Sequence, residues 1–363
     1  MGISKIYGTM ATQTMSLEIV RNASEGIAKT LLHTVPPQME GWLLKRGIER
    51  ILLTTQYEYP PHFWETIDQY AANAGFVIAQ NHFSNADILA VDLLANRITC
   101  RVNRTVPEEK KMGGFIEPFA DSLPEDTQGE MSRFYKKVKP LINRLRVETG
   151  PTPTLNDILN NRIHSYKKYK DDLEESSKRM KEATSKERKG VILPAEATVQ
   201  GGRIDPGTGD VYGMQVFTPN SVKLALYSVT EANDYGIIIP TAVSYGYKVL
   251  NSETNGITLP ATVVGLTPIK QAIMTVHVGE PIIYKKSDIR GLNSDELNYL
   301  VATTIAQMLE PQERGVYSSQ EKFDIALVEY MDKKRRADEI IKGLRAEYEA
   351  KKKEEAAIFP DQS

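Results

Sequence analysis

The chain has 363 residues, 41% hydrophobic and 25% charged, with a formal net charge of -2. A chain of this length can bury a full core without cross-links, and at roughly 150 residues per domain it holds about two domains, or one large domain with appendages. The near-neutral charge gives no global surface for nucleic acid, and the single cysteine, Cys100, excludes an intrachain disulfide and a cysteine-based zinc site.

The first twenty residues, "MGISKIYGTMATQTMSLEIV", lack the basic start and long apolar core of a secretory leader. Ile6 stands where the myristoylation pattern needs Ser or Thr. No apolar run approaches the ~18 residues needed to cross a bilayer. The expectation is a soluble protein in a reducing, cytoplasmic or plastid-stroma-like compartment, at most peripheral to a membrane.

Residues 14–55 read as two helices. In "SLEIVRNASEGIAKTLLHTV" the apolar positions fall near a 3.6-residue period, "PPQ" stops the pattern, and "MEGWLLKRGIERILLTT" restarts it. "YEYPPHF" reads as a turn, and "FWETIDQYAANAG" as a short helix ended by Gly75. Residues 1–70 are therefore expected to form a helical N-terminal domain.

From Gly75 onward, short β-branched runs appear: "GFVIA", "RITCRV", "KGVILP", "YGIIIPTAV", "ITLPATVVGL" and "AIMTVHV". Each has the length and composition of a strand, and helical patterns separate several of them. This predicts an α/β fold, with a mixed, largely parallel sheet flanked by helices, over residues 71–310. Residues 127–190 read as amphipathic to highly charged helices inserted in that domain, and such a charge run ordinarily marks a solvated face. "NSDELNYLVATTIAQML" begins with the N-x-x-E spacing of a capped helix at Asn293 and Glu296. Residues 311–363 form a charged helical tail whose apolar positions thin out after Leu344, so its end is expected to fray.

The segment "NHFSNADILAVD", residues 81–92, follows the run "GFVIAQ". On one continuous helix His82 and Asp87 would lie about 140° apart and could not touch. They can meet if His82 lies in a loop after a strand and Asp87 in the first helical turn, with Ser84 or Asn85 as the N-cap. A carboxylate accepting from one imidazole nitrogen fixes the tautomer and frees the other nitrogen to take a proton from a hydroxyl. By spacing alone the pair is either this base and its orienting acid, or two polar residues closing a helix start.

"NHFSNAD" resembles the first signature, N-H-x4-D, of the glycerolipid acyltransferases. "GVILPAEATVQGGRIDPGTGDVYGMQVF" is similar to the third block of the soluble, plastid-type glycerol-3-phosphate acyltransferases, with Gly201, Gly202 and Arg203 followed by Asp205, Pro206, Thr208, Gly209 and Tyr212. "GIIIPTAVSY" resembles the fourth block, with Pro240 as its strand proline, and "AIMTVHVGEPIIY" the strand and turn that close the domain. The resemblance spans roughly residues 60–285. It implies that His82 is a general base oriented by Asp87, and that a glycerol 3-phosphate hydroxyl attacks the thioester of acyl-CoA or an acyl carrier protein without an acyl-enzyme. It implies that Arg203, beside Gly201 and Gly202, holds the substrate phosphate. Glu196 and Thr198 stand in for the Glu and Thr of the common third block, and Pro240 lines the substrate.

The pattern departs from the family in two places. Ile204 and Asp205 replace the second arginine of the plastid form, and "GGFIEPFADS" lacks the cation expected after the second-block strand. Arg104, with Arg101, Lys110 and Lys111, is the nearby substitute for a phosphate contact. These departures leave open a lysophospholipid or another acceptor, and a non-catalytic lipid-binding or scaffold protein. His33, His62, His164 and His277 show no metal-ligand spacing and read as structural. No metal, cofactor or nucleic-acid partner is expected, and peripheral contact with a membrane fits a lipid substrate.

Overall fold

The computed structural model describes residues 55–81, 85–117, 147–148, 155–194, 213–245, 250–251, 256–257 and 274–358. The expected helices before residue 55 and the segments 118–146 and 195–212 lie outside the described residues.

The chain enters on strand β1 (Thr55–Glu58), helix α1 (Phe63–Tyr70), strand β2 (Ala74–Gln80) and helix α2 (Asn85–Thr105). Strands β3 (Phe115–Glu117) and β4 (Val147–Glu148) follow, then helices α3 (Leu155–Leu159) and α4 (Tyr166–Ser185), strand β5 (Gly190–Pro194) and helix α5 (Ser221–Thr230). Next come β6 (Tyr235–Tyr245), the two-residue strands β7 (Leu250–Asn251) and β8 (Gly256–Ile257), β9 (Met274–Val278) and β10 (Ile282–Lys285). Helices α6 (Lys286–Ile289), α7 (Ser294–Gln307) and α8 (Gln320–Ile358) complete the described chain.

The main sheet has the order β1-β9-β6-β2-β5-β3-β4. Strands β3, β5, β2 and β6 run parallel, whereas β9 and β10 run antiparallel to β6. The fold is thus α/β with a mixed, mostly parallel sheet, as the alternation of runs and helices predicts. β2 lies at its centre with all seven residues buried, which is why "AGFVIAQ" reads as a continuous apolar run.

Helices cover both faces. The Tyr57 hydroxyl donates to the Ala90 carbonyl at 2.8 Å, and the Arg97 guanidinium lies 4.0 Å from the centre of the Tyr57 ring, so α2 packs on that face. α5 packs on the opposite face, where a Cβ on Gly75 would lie 2.3 Å from the Val229 carbonyl oxygen. Gly75 is therefore a strand residue that lets a helix backbone approach, and not the end of α1. α7 covers the same face as α5, and its N-cap is the expected one: the Asn293 side chain accepts from the Asp295 and Glu296 amides and donates to the Glu296 carboxylate at 3.1 Å. On the α2 side, Arg101 grips Asp68 with two hydrogen bonds and ties α2 to α1. That guanidinium holds the Asp68 carboxyl below its usual range.

Several expectations are corrected. Thr55–Glu58 is a strand paired in parallel with β9, and Phe63 and Ile67 of α1 lie in the core, so residues 55–70 belong to the α/β unit and not to a separate helical domain. "RITCRV" is not a strand. It lies in α2, whose buried Ala90, Val91, Leu94, Ala95, Ile98 and Val102 repeat at helical spacing across it. The expected insertion contributes α3 and α4, but Val147 and Glu148 within it pair with β3. The tail is the expected long helix and runs to Ile358, with α3 and α4 packed along it, Tyr166 5.9 Å from Tyr348 and Ala337 buried.

A Gly75→Ala substitution tests the β2–α5 contact. Its methyl would collide with backbone and not with a movable side chain, so the expected loss is about 3 kcal/mol in urea-unfolding stability. An unchanged midpoint would contradict the packing.

Candidate functional site

In open, largely parallel sheets ligands gather at the carboxyl ends of the strands, because loops and helix starts converge there. Here the register shows which segments leave together. Gln80 of β2 pairs with Pro194 of β5 on one side and Thr241 of β6 on the other. One rung earlier, Ala79 pairs with Leu193 and Pro240. The chain therefore leaves β2 towards His82 and leaves β5 towards residues 195–212 from adjacent points on one edge.

Asn81 fixes the exit from β2. It is fully buried, and its side chain takes over where the backbone ladder stops: its Nδ2 donates to the Val243 carbonyl at 3.0 Å, and its Oδ1 accepts from the Val243 amide at 2.7 Å. The carboxamide thus acts as one more peptide rung between β2 and β6. The next residue is His82, and α2 begins at Asn85, so Asp87 falls in its first turn. β2 therefore ends two residues before His82, and a helix begins three residues after it. His82, and the side chain of Asp87, lie outside the described residues, as do Glu196, Thr198, Gly201, Gly202 and Arg203.

Gln80 is the other polar residue at this exit. It is fully buried on the α2 face of the sheet, beside Thr241, and among the described residues neither of its amide atoms has a hydrogen-bond partner. Strand alternation puts the buried Glu117, at the end of β3, on the same face. Asp92 is buried on α2. Burial pushes the Tyr57 phenol well above the usual tyrosine range; Arg97 opposes this shift and the Asp92 charge adds to it. Polar groups are thus concentrated beneath α2 at the carboxyl edge of an otherwise apolar core.

Pro240 sits in the middle of β6, where a missing amide would normally break a ladder. It is tolerated because β9 and β10 pair in succession along the same β6 edge with a one-residue shift of register, so Gly279–Glu280–Pro281 is a bulge opposite Ile239 and Pro240 and not the expected turn. The Pro240 carbonyl accepts from the Gly279 amide at 2.7 Å. The segment that follows Pro194 returns at Gly213, and it is held there by Met214, whose amide donates to the Glu313 carbonyl and whose carbonyl accepts from the Val316 amide, both at 3.0 Å.

Arg104 is not brought to this edge. It is exposed in the last turn of α2, about 30 Å along the helix axis from Asn85 at 1.5 Å per residue. Arg101 is engaged by Asp68, and Lys111 by Glu108. Gln80 is the residue here that motif reading passes over, and Asn81 opens the N-H-x4-D pattern without a role assigned to it. Their signal was two polar residues ending an unbroken apolar strand.

Among the described residues no cluster of three or more His, Cys, Asp or Glu side chains is arranged to hold a metal ion, and no helix is long and apolar enough to cross a membrane. No known protein-family model matches the chain, and no curated protein matches it either.

Replacing Asn81 tests the side-chain rung. Asn81→Ala would leave the Val243 amide and carbonyl buried and unpaired, an expected loss of about 2–4 kcal/mol in chemical denaturation. A loss below roughly 0.5 kcal/mol would show that the carboxamide does not carry the junction.

Proposed function

We propose that the chain is an acyltransferase that moves a fatty acyl group from acyl-CoA or an acyl carrier protein to glycerol 3-phosphate. The observation that carries this reading is the shared register of Gln80, Pro194 and Thr241, since the segments bearing His82 and Arg203 leave neighbouring strands at one edge. His82 accepts the hydroxyl proton of the acceptor, with Asp87 holding the imidazole in the required tautomer. The oxygen attacks the thioester carbonyl carbon, the C–S bond breaks, and the thiol leaves with the proton. Arg203 holds the phosphate through its planar fork of donors, Gly201 and Gly202 allow the backbone close to it, and Glu196, Thr198 and Pro240 line the acceptor. The chemistry needs neither cofactor nor metal. A lipid product fits a protein of a soluble compartment that meets the membrane at its surface.

A second acceptor class, a lysophospholipid or another alcohol, is favoured by one observation: Arg104 lies at the far end of α2, so it adds no second cation at the carboxyl edge.

The test is acyl transfer from carrier-bound and coenzyme A thioesters to a panel of acceptors. His82→Ala is expected to lower turnover by about 10²–10⁴-fold, the usual contribution of a general base. Unchanged turnover in that variant would eliminate His82 as the base. Equal rates with acceptors lacking phosphate would move the assignment to the second acceptor class.

A further inference from the structure

On the opposite face of the sheet from Gln80, three side chains on adjacent strands form a relay. The Glu58 carboxylate of β1 lies 2.8 Å from His277 Nδ1, and His277 Nε2 lies 3.1 Å from Ser244 Oγ. The register explains the alignment. Glu58 is the direct partner of His277, while Ser244 is its diagonal neighbour, because His277 pairs with Ala242. The His277 side chain is 25% exposed and that of Glu58 52%, and Ser244 is half-buried, so the cluster is open at the surface.

We infer that Ser244, His277 and Glu58 form a nucleophilic serine centre that accepts acyl groups from carboxylic esters. The carboxylate of Glu58 accepts a hydrogen bond from Nδ1–H and so selects the tautomer whose Nε2 is a free acceptor. That nitrogen faces the Ser244 hydroxyl, which is the arrangement that activates serine in unrelated folds. Ser244 Oγ attacks the ester carbonyl carbon while its proton passes to His277 Nε2. The ester C–O bond breaks, and the alkoxide leaves as an alcohol with the proton from His277. Water then attacks the acyl-serine, giving its proton to His277, and the Ser244 oxygen takes that proton back as the acid departs. Atoms and charge balance without a further reactant.

This centre is separate from the His82 edge in residues and in chemistry, although Ser244 directly follows the Val243 peptide that anchors Asn81. It also changes the reading of His277, which by sequence spacing is one of several structural histidines. The signal was invisible in the chain because Glu58 and His277 are separated by 219 positions.

The test uses the full-length chain with a reporter-tagged fluorophosphonate and with p-nitrophenyl butyrate. Peptide mapping is expected to find the phosphonate on Ser244, with ester hydrolysis blocked in the labelled protein. His277→Ala should slow labelling by about 100-fold or more, and Glu58→Gln by at least about 10-fold through the wrong tautomer. Absence of labelling, labelling confined to another residue, or equal labelling of Ser244 in the His277→Ala protein would overturn the assignment. Mapping on the unmodified protein needs no variant to fold, and Ser244→Cys gives a second readout as a thiol whose alkylation by iodoacetamide should slow in the His277→Ala background. Failure of acyl transfer to glycerol 3-phosphate counts against His82 and has no bearing on the Ser244 label.

Discussion

The Asn81 carboxamide makes two hydrogen bonds to a single peptide unit, that of Val243. Both groups are buried, so each bond replaces a desolvation cost and not a contact with water. The consequence is geometric. β2 must leave the sheet at one defined residue, and the chain enters the segment "HFSNAD" from a fixed point beside β6. A backbone rung could not do this, because it would continue the strand; a side-chain rung ends the strand and still satisfies its neighbour.

The rest of the site is arranged around that exit. β5 stops level with β2, so the two glycine- and arginine-bearing and histidine-bearing segments start side by side. β6 runs past both of them and serves two partners, presenting Val243 to Asn81 on one edge and pairing with β9 on the other. Its proline is accommodated by the break between β9 and β10. Among the described residues the Gln80 amide, fully buried beneath α2, has no hydrogen-bond partner, which is costly in an apolar core. Gln80 stands at the exit of β2, beside Thr241 and Pro194.

The sheet class was legible because buried parallel strands write themselves as unbroken β-branched runs, as "GFVIA", "KGVILP" and "YGIIIPTAV" do. The same signal misled at "RITCRV", where β-branched residues sit on the buried stripe of a helix. "TQYE" was illegible as a strand because four residues at a sheet edge, alternately half-buried and exposed, carry too little pattern. The N-H-x4-D spacing predicts a strand before His82 and a helix start at Asp87, and β2 and α2 stand at those places. The role of Asn81 was not legible, since its partner is 162 positions away. The same holds for the Glu58–His277–Ser244 relay, which exists only because β1 and β6 flank β9.

The proposed acceptor site lies where β2 and β5 leave the sheet. Hydrogen–deuterium exchange of the full-length chain, with and without glycerol 3-phosphate, tests it most directly. Slowed exchange is expected in peptides covering residues 81–92 and 195–212, with no change along α8. Protection confined to α8, or none anywhere at saturating ligand, would contradict it.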